Sequence, residues 1–346
     1  MTWDELDWPA LDRLRDGFLR GGAASGHYWQ NASDLASYDF TYGERIGWKW
    51  DHVLRELRLR GWSPRSRRIF DWGCGSGIAG RRVVEFFGAA TFDELLLWDH
   101  SPVAADFAAA AASRAFPSLQ VSPVTPGFLA SDEPLGLLLI SHVLNELSVD
   151  ALASLRAMLE RADAMLWVEP GTHEISRRLG QIRDALLPTH RVIAPCTHQL
   201  GCPMFRDGRE RDWCHFFAPP PAGIHADSDW VKFGQRAGID LRSLPYAFFA
   251  TERTAASTDA PASIARAGET PVPAESVELS RVIGRAEHFK PYARVLSCDA
   301  AGLADLELPK RADPALFKQL ERTKSPLLYH WHREGNKIVG GEPLAE

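Results

Sequence analysis

The segment RRIFDWGCGSGIAGRRVVEFFG, residues 67–88, narrows most sharply what this chain can fold into. A short apolar run enters three glycines separated by single residues and leaves as a helix. ELLLWDHS then repeats the buried-strand pattern and PVAADFAAAAASRAF the helix, while PLGLLLIS and MLWVEPG read as two further strands. β and α segments alternating at such short intervals predict an α/β fold, a doubly wound parallel sheet.

Asp71, Gly73, Gly75 and Gly77 fall where the first strand hands over to its helix. Glycines there allow positive φ and let backbone N–H groups approach a ligand closely. The spacing is not that of the dinucleotide fingerprint, because the third glycine comes two residues after the second. It is similar to the acidic-x-Gly-x-Gly-x-Gly motif of S-adenosylmethionine-dependent methyltransferases. Asp99 ends the next strand, where a carboxylate can accept from both ribose hydroxyls. On that resemblance Ser141 and His142, after the fourth strand, border the adenine or the methyl donor. A glycine turn in another nucleotide-binding α/β protein is the alternative. Asn145 and Glu146 follow in SHVLNEL and read as caps of the next helix. An exocyclic-amine methylase would carry an Asn/Asp-Pro-Pro-aromatic motif at this point, and SHVLNEL has no proline, so the catalytic residue is left unassigned.

Four of the five cysteines lie outside this motif. Cys196 and Cys202 enclose five residues, Cys202 and Cys214 eleven, and Cys298 follows after another 83. Zinc ribbons and fingers use short paired knuckles, and none occurs in this sequence. Three irregularly spaced thiols with a distant fourth suit an iron–sulfur cluster, whose ligands can come from separate loops. Zinc with His198 or His215, or four small buried hydrophobes, are the alternatives. Trp213, Phe216 and Phe217 would form apolar cover over a cluster. Cys74 is read as packing.

The chain has 346 residues and a net charge of −6. Residues 1–150 carry 14 Lys and Arg against 20 Asp and Glu, and the remainder balances at 25 each. RNA contacts must therefore come from local patches such as Arg177, Arg178 and Arg183, or Arg206, Arg209 and Arg211. No apolar run is long enough to span a bilayer. The acidic amphipathic N-terminus is neither a signal nor a transit peptide. A bacterial cytoplasm is the expected compartment, where clustered thiols are ligands rather than disulfides. Residues 1–62 read as a helical N-terminal extension and 63–300 as the main domain, with a metal-binding insertion at 190–221 and a flexible loop at 252–280. YARVLSC reads as that domain's last strand, and 301–346 as a C-terminal extension.

VEPGT, IRDALL, VIAPCTHQLGCPM, DWCHF, SHVLNEL and RVIGRAEHFKPYARVLSC together resemble a methyltransferase-like family that assists assembly of the mitochondrial small ribosomal subunit, and its bacterial relatives. The resemblance runs from about Arg68 to Lys324, although EHFKPYARV lacks the glycine expected before its strand. It implies a class I S-adenosylmethionine methyltransferase-like sheet, with cofactor residues Asp71, Gly73, Gly75, Gly77 and Asp99. It also implies a [4Fe–4S] cluster on Cys196, Cys202, Cys214 and Cys298. Small-subunit ribosomal RNA or a pre-ribosomal particle is the implied partner, with a monomer and no membrane expected. In a eukaryote the mitochondrial matrix would be the compartment.

Overall fold

The structure, a computed structural model, describes residues 1–19, 28–147, 149–254, 279–322 and 328–344. Its largest element is a mixed sheet of β1 (Arg68–Trp72), β2 (Glu94–Trp98), β3 (Gln120–Pro123), β4 (Gly136–Ser141), β5 (Ala162–Pro170), β6 (His190–Ala194), β7 (Phe216–Ala218) and β8 (Leu244–Arg253). The strand order is β3-β2-β1-β4-β5-β8-β6, with β7 also pairing β8. The first five strands are mutually parallel, and β8 runs antiparallel to β5. This is a doubly wound α/β sheet with an antiparallel strand toward one edge.

Both faces of the sheet are covered, which explains the unbroken apolar runs that spell its strands. Ile69, Leu95, Leu97, Leu137, Leu139 and Leu166 pack under α3 (Glu44–Leu59), α4 (Ile78–Phe87) and α5 (Pro102–Ala115). Phe70, Leu138, Ile140, Met165 and Trp167 pack under α7 (Val149–Leu159) and α8 (His173–Leu186). Each such side chain contributes about 1.5–3 kcal/mol on leaving water. The start of α5 has Ser101 as its N-cap and Pro102 in its first turn, and its alanines let it lie close to the sheet. At α9 (Ser228–Ala237), Asp227 caps the N-terminus and Gly238 ends the helix left-handed.

Ahead of the sheet come α1 (Trp8–Leu19) and α2 (Ala32–Tyr38), with a π-turn over Asp39–Gly43 leading into α3. A single turn, α6 (Pro126–Leu129), connects β3 and β4.

The reading of YARVLSC as a strand of this sheet is corrected. Tyr292–Asp299 is β10 of a separate closed barrel, in the order β10-β11-β13-β12-β9. Its other strands are β9 (Leu279–His288), β11 (Gly302–Pro309), β12 (Leu328–Glu334) and β13 (Lys337–Pro343), with α10 (Pro314–Arg322) between β11 and β12. Val282, Ala293, Val295, Leu306, Leu308, Tyr329, Trp331 and Ile338 fill the barrel. The tail from 301 onward therefore completes this barrel. Of the loop read at 252–280, residues 255–278 lie outside the described residues.

The barrel is fastened to the sheet domain through a buried charge cluster. Arg281 on β9 donates to Glu56 on α3, and both are essentially inaccessible to water. Arg60 donates to the same Glu56 oxygen at 3.0 Å. Arg60 also reaches the carbonyls of Ile193 (3.1 Å), Pro195 (2.7 Å) and Cys196 (3.1 Å). One carboxylate thus ties together the barrel, α3 and the start of the cysteine loop.

Candidate functional site

A cavity of 360 Å³ opens at the carboxyl ends of β1, β2 and β4. Ligands of open α/β sheets bind at this edge, where the strand order reverses. Its floor is the glycine turn. Gly73 has φ of +69°, and a Cβ there would come within 2.8 Å of a Val143 methyl. Gly75 faces open space, with nothing within 4 Å of a built Cβ. The Gly75 N–H donates to Asp99 at 2.9 Å, and the other Asp99 oxygen accepts from the Ser101 N–H at 2.9 Å.

Five of the seven residues read as cofactor-binding line the cavity: Gly73, Gly75, Asp99, Ser141 and His142. Asp71 and Gly77 do not. Asp71 is fully buried beneath the turn, where one oxygen accepts from the Gly80 N–H at 3.0 Å. Burial raises its carboxyl to about 7, opposed by the Gly80 amide and Arg81. Its place is structural, since it joins the end of β1 to the first turn of α4. Gly77 is the residue before α4, and a Cβ there would lie 2.7 Å from Ala108 of α5.

The N-terminal helices supply walls that the sequence did not assign. Phe18, Tyr28, Trp29 and Tyr38 all face the cavity. The Tyr28 hydroxyl lies 3.5 Å from Glu146. Burial, followed by the neighbouring Glu146 and Asp99 charges, holds the Tyr28 phenol well above its usual range. Glu146 also lines the cavity. Burial raises its carboxyl to about 7, helped by Glu169 and Asp99. The clue was an aromatic-rich stretch, YWQNASDLASYDFTY, but contacts more than 100 residues apart are not legible as spacing.

At the end of β4, Ser141 accepts from the Trp50 indole at 3.0 Å. His142 has φ of +56°, a strained conformation for a residue with a side chain, and its Nε2 lies 3.0 Å from the Lys49 ammonium nitrogen. Burial lowers Lys49 to about 7, and burial and then Lys49 push His142 well below its usual value. Behind them Glu169 accepts from the Val143 and Leu144 N–H groups, each at 3.1 Å, and from the Trp167 indole at 2.7 Å.

The four cysteines converge at the outer edge of the sheet. Cys298 belongs to an apolar cluster that spans the barrel and the sheet domain, and Cys202 and Cys214 also pack against that cluster. Burial, and then a charge on Cys196, pushes the Cys202 thiol up to about 12. Burial, then Cys196, Cys202 and Cys298, holds the Cys214 thiol well above its usual range. Each sulfur is thus within electrostatic reach of the other three. His198 Nε2 lies 3.8 Å from the Cys298 sulfur. Among the described residues no three His, Cys, Asp or Glu side chains are grouped so as to hold one metal ion.

The arginines read as phosphate contacts divide. Arg177 donates through Nη1 to the carbonyls of Met204 (2.9 Å), Arg209 (3.1 Å) and Asp212 (2.9 Å). Arg183, buried, reaches Leu200 at 2.6 Å and His198 at 3.3 Å. Both staple the cysteine loop to α8. Arg209 is held by Asp212 (3.1 Å) and Asp305 (3.0 Å). Arg206 and Arg211 remain exposed. The expected apolar cover also divides: Phe216 is buried, whereas Trp213 and Phe217 are half-buried.

Among the described residues no helix is long and apolar enough to cross a membrane. No curated protein matches the sequence. Similar solved structures include magnesium protoporphyrin IX methyltransferase of Synechocystis PCC 6803 with bound SAM, at 11% identity over 70% of this chain and 95% of that one, TM-score 0.37. The plantazolicin methyltransferase BamL with SAH is similar at 9% identity over 69% and 97%, TM-score 0.39. TrmK of M. capricolum with S-adenosyl-homocysteine is similar at 9% identity over 57% and 67%, TM-score 0.33. Such remote likeness carries no argument about chemistry. The profile of the family described as "Mitochondrial small ribosomal subunit Rsm22" matches residues 52–237, more than half of the chain, and the protein belongs to that family.

Proposed function

We propose that this protein is an assembly factor of the small ribosomal subunit that binds S-adenosylmethionine in the cavity and holds a [4Fe–4S] cluster on Cys196, Cys202, Cys214 and Cys298. The observation that carries this reading is the convergence of three thiols from one loop with a fourth from the barrel, in a family named for the ribosomal small subunit. The donor set fits a cluster. It is all sulfur, it is sheltered by apolar side chains, and Arg183 and Arg281 face it with compensating charge. A lone tetrahedral zinc would draw four sulfurs within about 4 Å of one another. A [4Fe–4S] cluster binds each thiolate at a separate iron and so needs its four sulfurs less closely drawn together. When bound it would cross-link the loop to β10 and fix the surface between them.

The cavity suits a sulfonium nucleoside. Gly75 presents open backbone, Asp99 sits at the edge for ribose hydroxyls, and aromatic rings with Glu146 suit a cation. Gly73→Ala places a methyl against Val143 in a left-handed backbone, so titration calorimetry should show S-adenosylmethionine affinity falling by roughly tenfold or more. The pH dependence has a definite sign. Glu146, raised to about 7, is mostly neutral at pH 6 and mostly anionic at pH 8. Affinity for the cationic donor therefore rises across that interval, by up to about tenfold. Neutral S-adenosylhomocysteine should show little of this rise, and Glu146→Gln should remove it. An unchanged slope in Glu146→Gln would contradict the placement of that carboxylate.

A second reading, methyl transfer to ribosomal RNA, is favoured by the strained His142 beside a buried lysine at the end of β4. Incubation with immature small subunits and labelled donor separates the two. Label in RNA establishes transfer. Binding of the particle without label leaves an assembly role with a bound cofactor. Failure to bind RNA or particle would overturn both.

A further inference from the structure

Trp213, His215 and Phe217 alternate with the inward-facing Cys214 and Phe216, so three rings share one outer face of an extended segment. Trp213 and His215 are stacked, with centroids 4.5 Å apart at 19°, and Phe217 meets His215 edge-on at 5.4 Å. His173, exposed at the start of α8, lies edge-on to Trp213 at 5.5 Å. At the far end the guanidinium of Arg285, on β9, lies 3.8 Å from the Phe217 ring centroid. The Trp213 indole is fixed by donating to the Gly171 carbonyl at 3.1 Å, just beyond the carboxyl end of β5. Across the domain boundary the Gly284 N–H donates to the His215 carbonyl at 2.9 Å. Gly284 has φ of +71°, and a Cβ there would lie 3.0 Å from the His215 ring, so only glycine allows so close an approach. A continuous ladder of rings thus runs from the ligand edge of the sheet to the barrel.

The barrel adds an independent observation. Its five strands close in the order first, second, third, fifth, fourth, with β11 and β13 parallel and a helix between the third and fourth. That is the topology of the barrel that binds oligonucleotides and oligosaccharides, normally across its second and third strands. In this chain that face is partly covered. Leu296, Cys298 and Leu303 pack on the cysteine loop, and Arg209 pairs with Asp305 at 3.0 Å. The open part of the face is a groove where Asp305, Glu307 and Glu334 outnumber Arg294 and Lys337, which disfavours phosphate. Arg285, over Phe217, and Arg211, two residues before Trp213, are exposed, and neither has a carboxylate partner among the described residues.

We propose that this ladder is a stacking platform for a single-stranded RNA segment, leading from the first barrel strand toward the cavity. Trp213 and His215 take one face of each other and Arg285 one face of Phe217, so bases would stack on the partly exposed remainder of the ladder without regard to sequence, and the two arginines accompany the phosphates. The inference rests on the RNA-binding reading above and names its surface.

The test uses the full chain with a fluorescein-labelled 12-nucleotide uridine-rich RNA, alone and annealed to its complement, followed by anisotropy. The wild type should prefer the single strand. Trp213→Ala and Phe217→Ala should each weaken it roughly tenfold, with Trp213→Phe largely retaining affinity. Arg285→Ala, a surface change that leaves every ring in place, should weaken it and lower the salt slope by about one. Thermal melting of each variant identifies any that fail to fold, and Arg285→Ala then decides alone. Wild-type binding left unchanged by all the variants overturns the ladder while sparing the RNA reading. A wild type that binds neither RNA overturns both.

Discussion

Replacing Glu56 with alanine will destabilise the protein by about 3–5 kcal/mol, well beyond what loss of an exposed ion pair costs. The carboxylate is fully buried and receives Arg281 from the barrel and Arg60, the residue that caps α3. Its removal leaves two guanidiniums uncompensated in a region where desolvation already lowers Arg281 to about 9 and Arg60 to about 10. Arg60 would also lose the anchor that aims it at the carbonyls of Ile193, Pro195 and Cys196. Denaturant titration should show the loss, with a melting temperature lower by roughly 10 °C. Glu56→Gln keeps the shape without the charge and should fall between the two. A Glu56→Ala protein as stable as the wild type would mean that the barrel is held by apolar packing alone.

The second large effect concerns the cysteines. Cys298 stands opposite Arg281 in the β9–β10 pairing, and its outward face is the barrel's contact with Cys202 and Cys214. A group that joins these sulfurs would add a cross-link between two modules already held by an apolar seam, the Glu56 cluster, the Gly284–His215 hydrogen bond and the Arg209–Asp305 pair. Binding energy at such a site is folding energy. Cys298→Ser, or removal of the proposed cluster, should therefore release the barrel before the sheet unfolds. Amide exchange in β9, β10 and β11 should accelerate by at least about 100-fold, while β1, β4 and β5 keep their protection. Equal acceleration throughout would mean that sheet and barrel unfold as one unit.

What the sequence disclosed follows from how each feature is encoded. Parallel strands buried on both faces appear as continuous apolar runs, so β1, β2, β4 and β5 are legible, as is the glycine turn between β1 and α4. Tyr292–Asp299 reads as part of the wrong sheet for the same reason. Ala293 and Val295 fill the barrel while Leu296 and Cys298 pack against the cysteine loop, so this strand too is covered on both sides. Nothing local distinguishes it from a sheet strand. Arg177 and Arg183 read as cations for phosphate because an arginine that satisfies loop carbonyls has the same letter as one facing water. The aromatic wall from Phe18 to Tyr38 is invisible in the sequence because it depends on where the N-terminal helices dock. Asp71, by contrast, is found by its motif, and in the fold it braces the turn from beneath, outside the cavity lining.

The most direct test of a cluster shared by loop and barrel is metal and sulfide analysis of the full chain purified without oxygen, with its absorbance spectrum. The expected result is about four irons and four sulfides per chain, a broad brown absorbance, and loss of both in Cys298→Ser. A colourless protein carrying one zinc and no iron, or one whose iron is unaffected by Cys298→Ser, would contradict it.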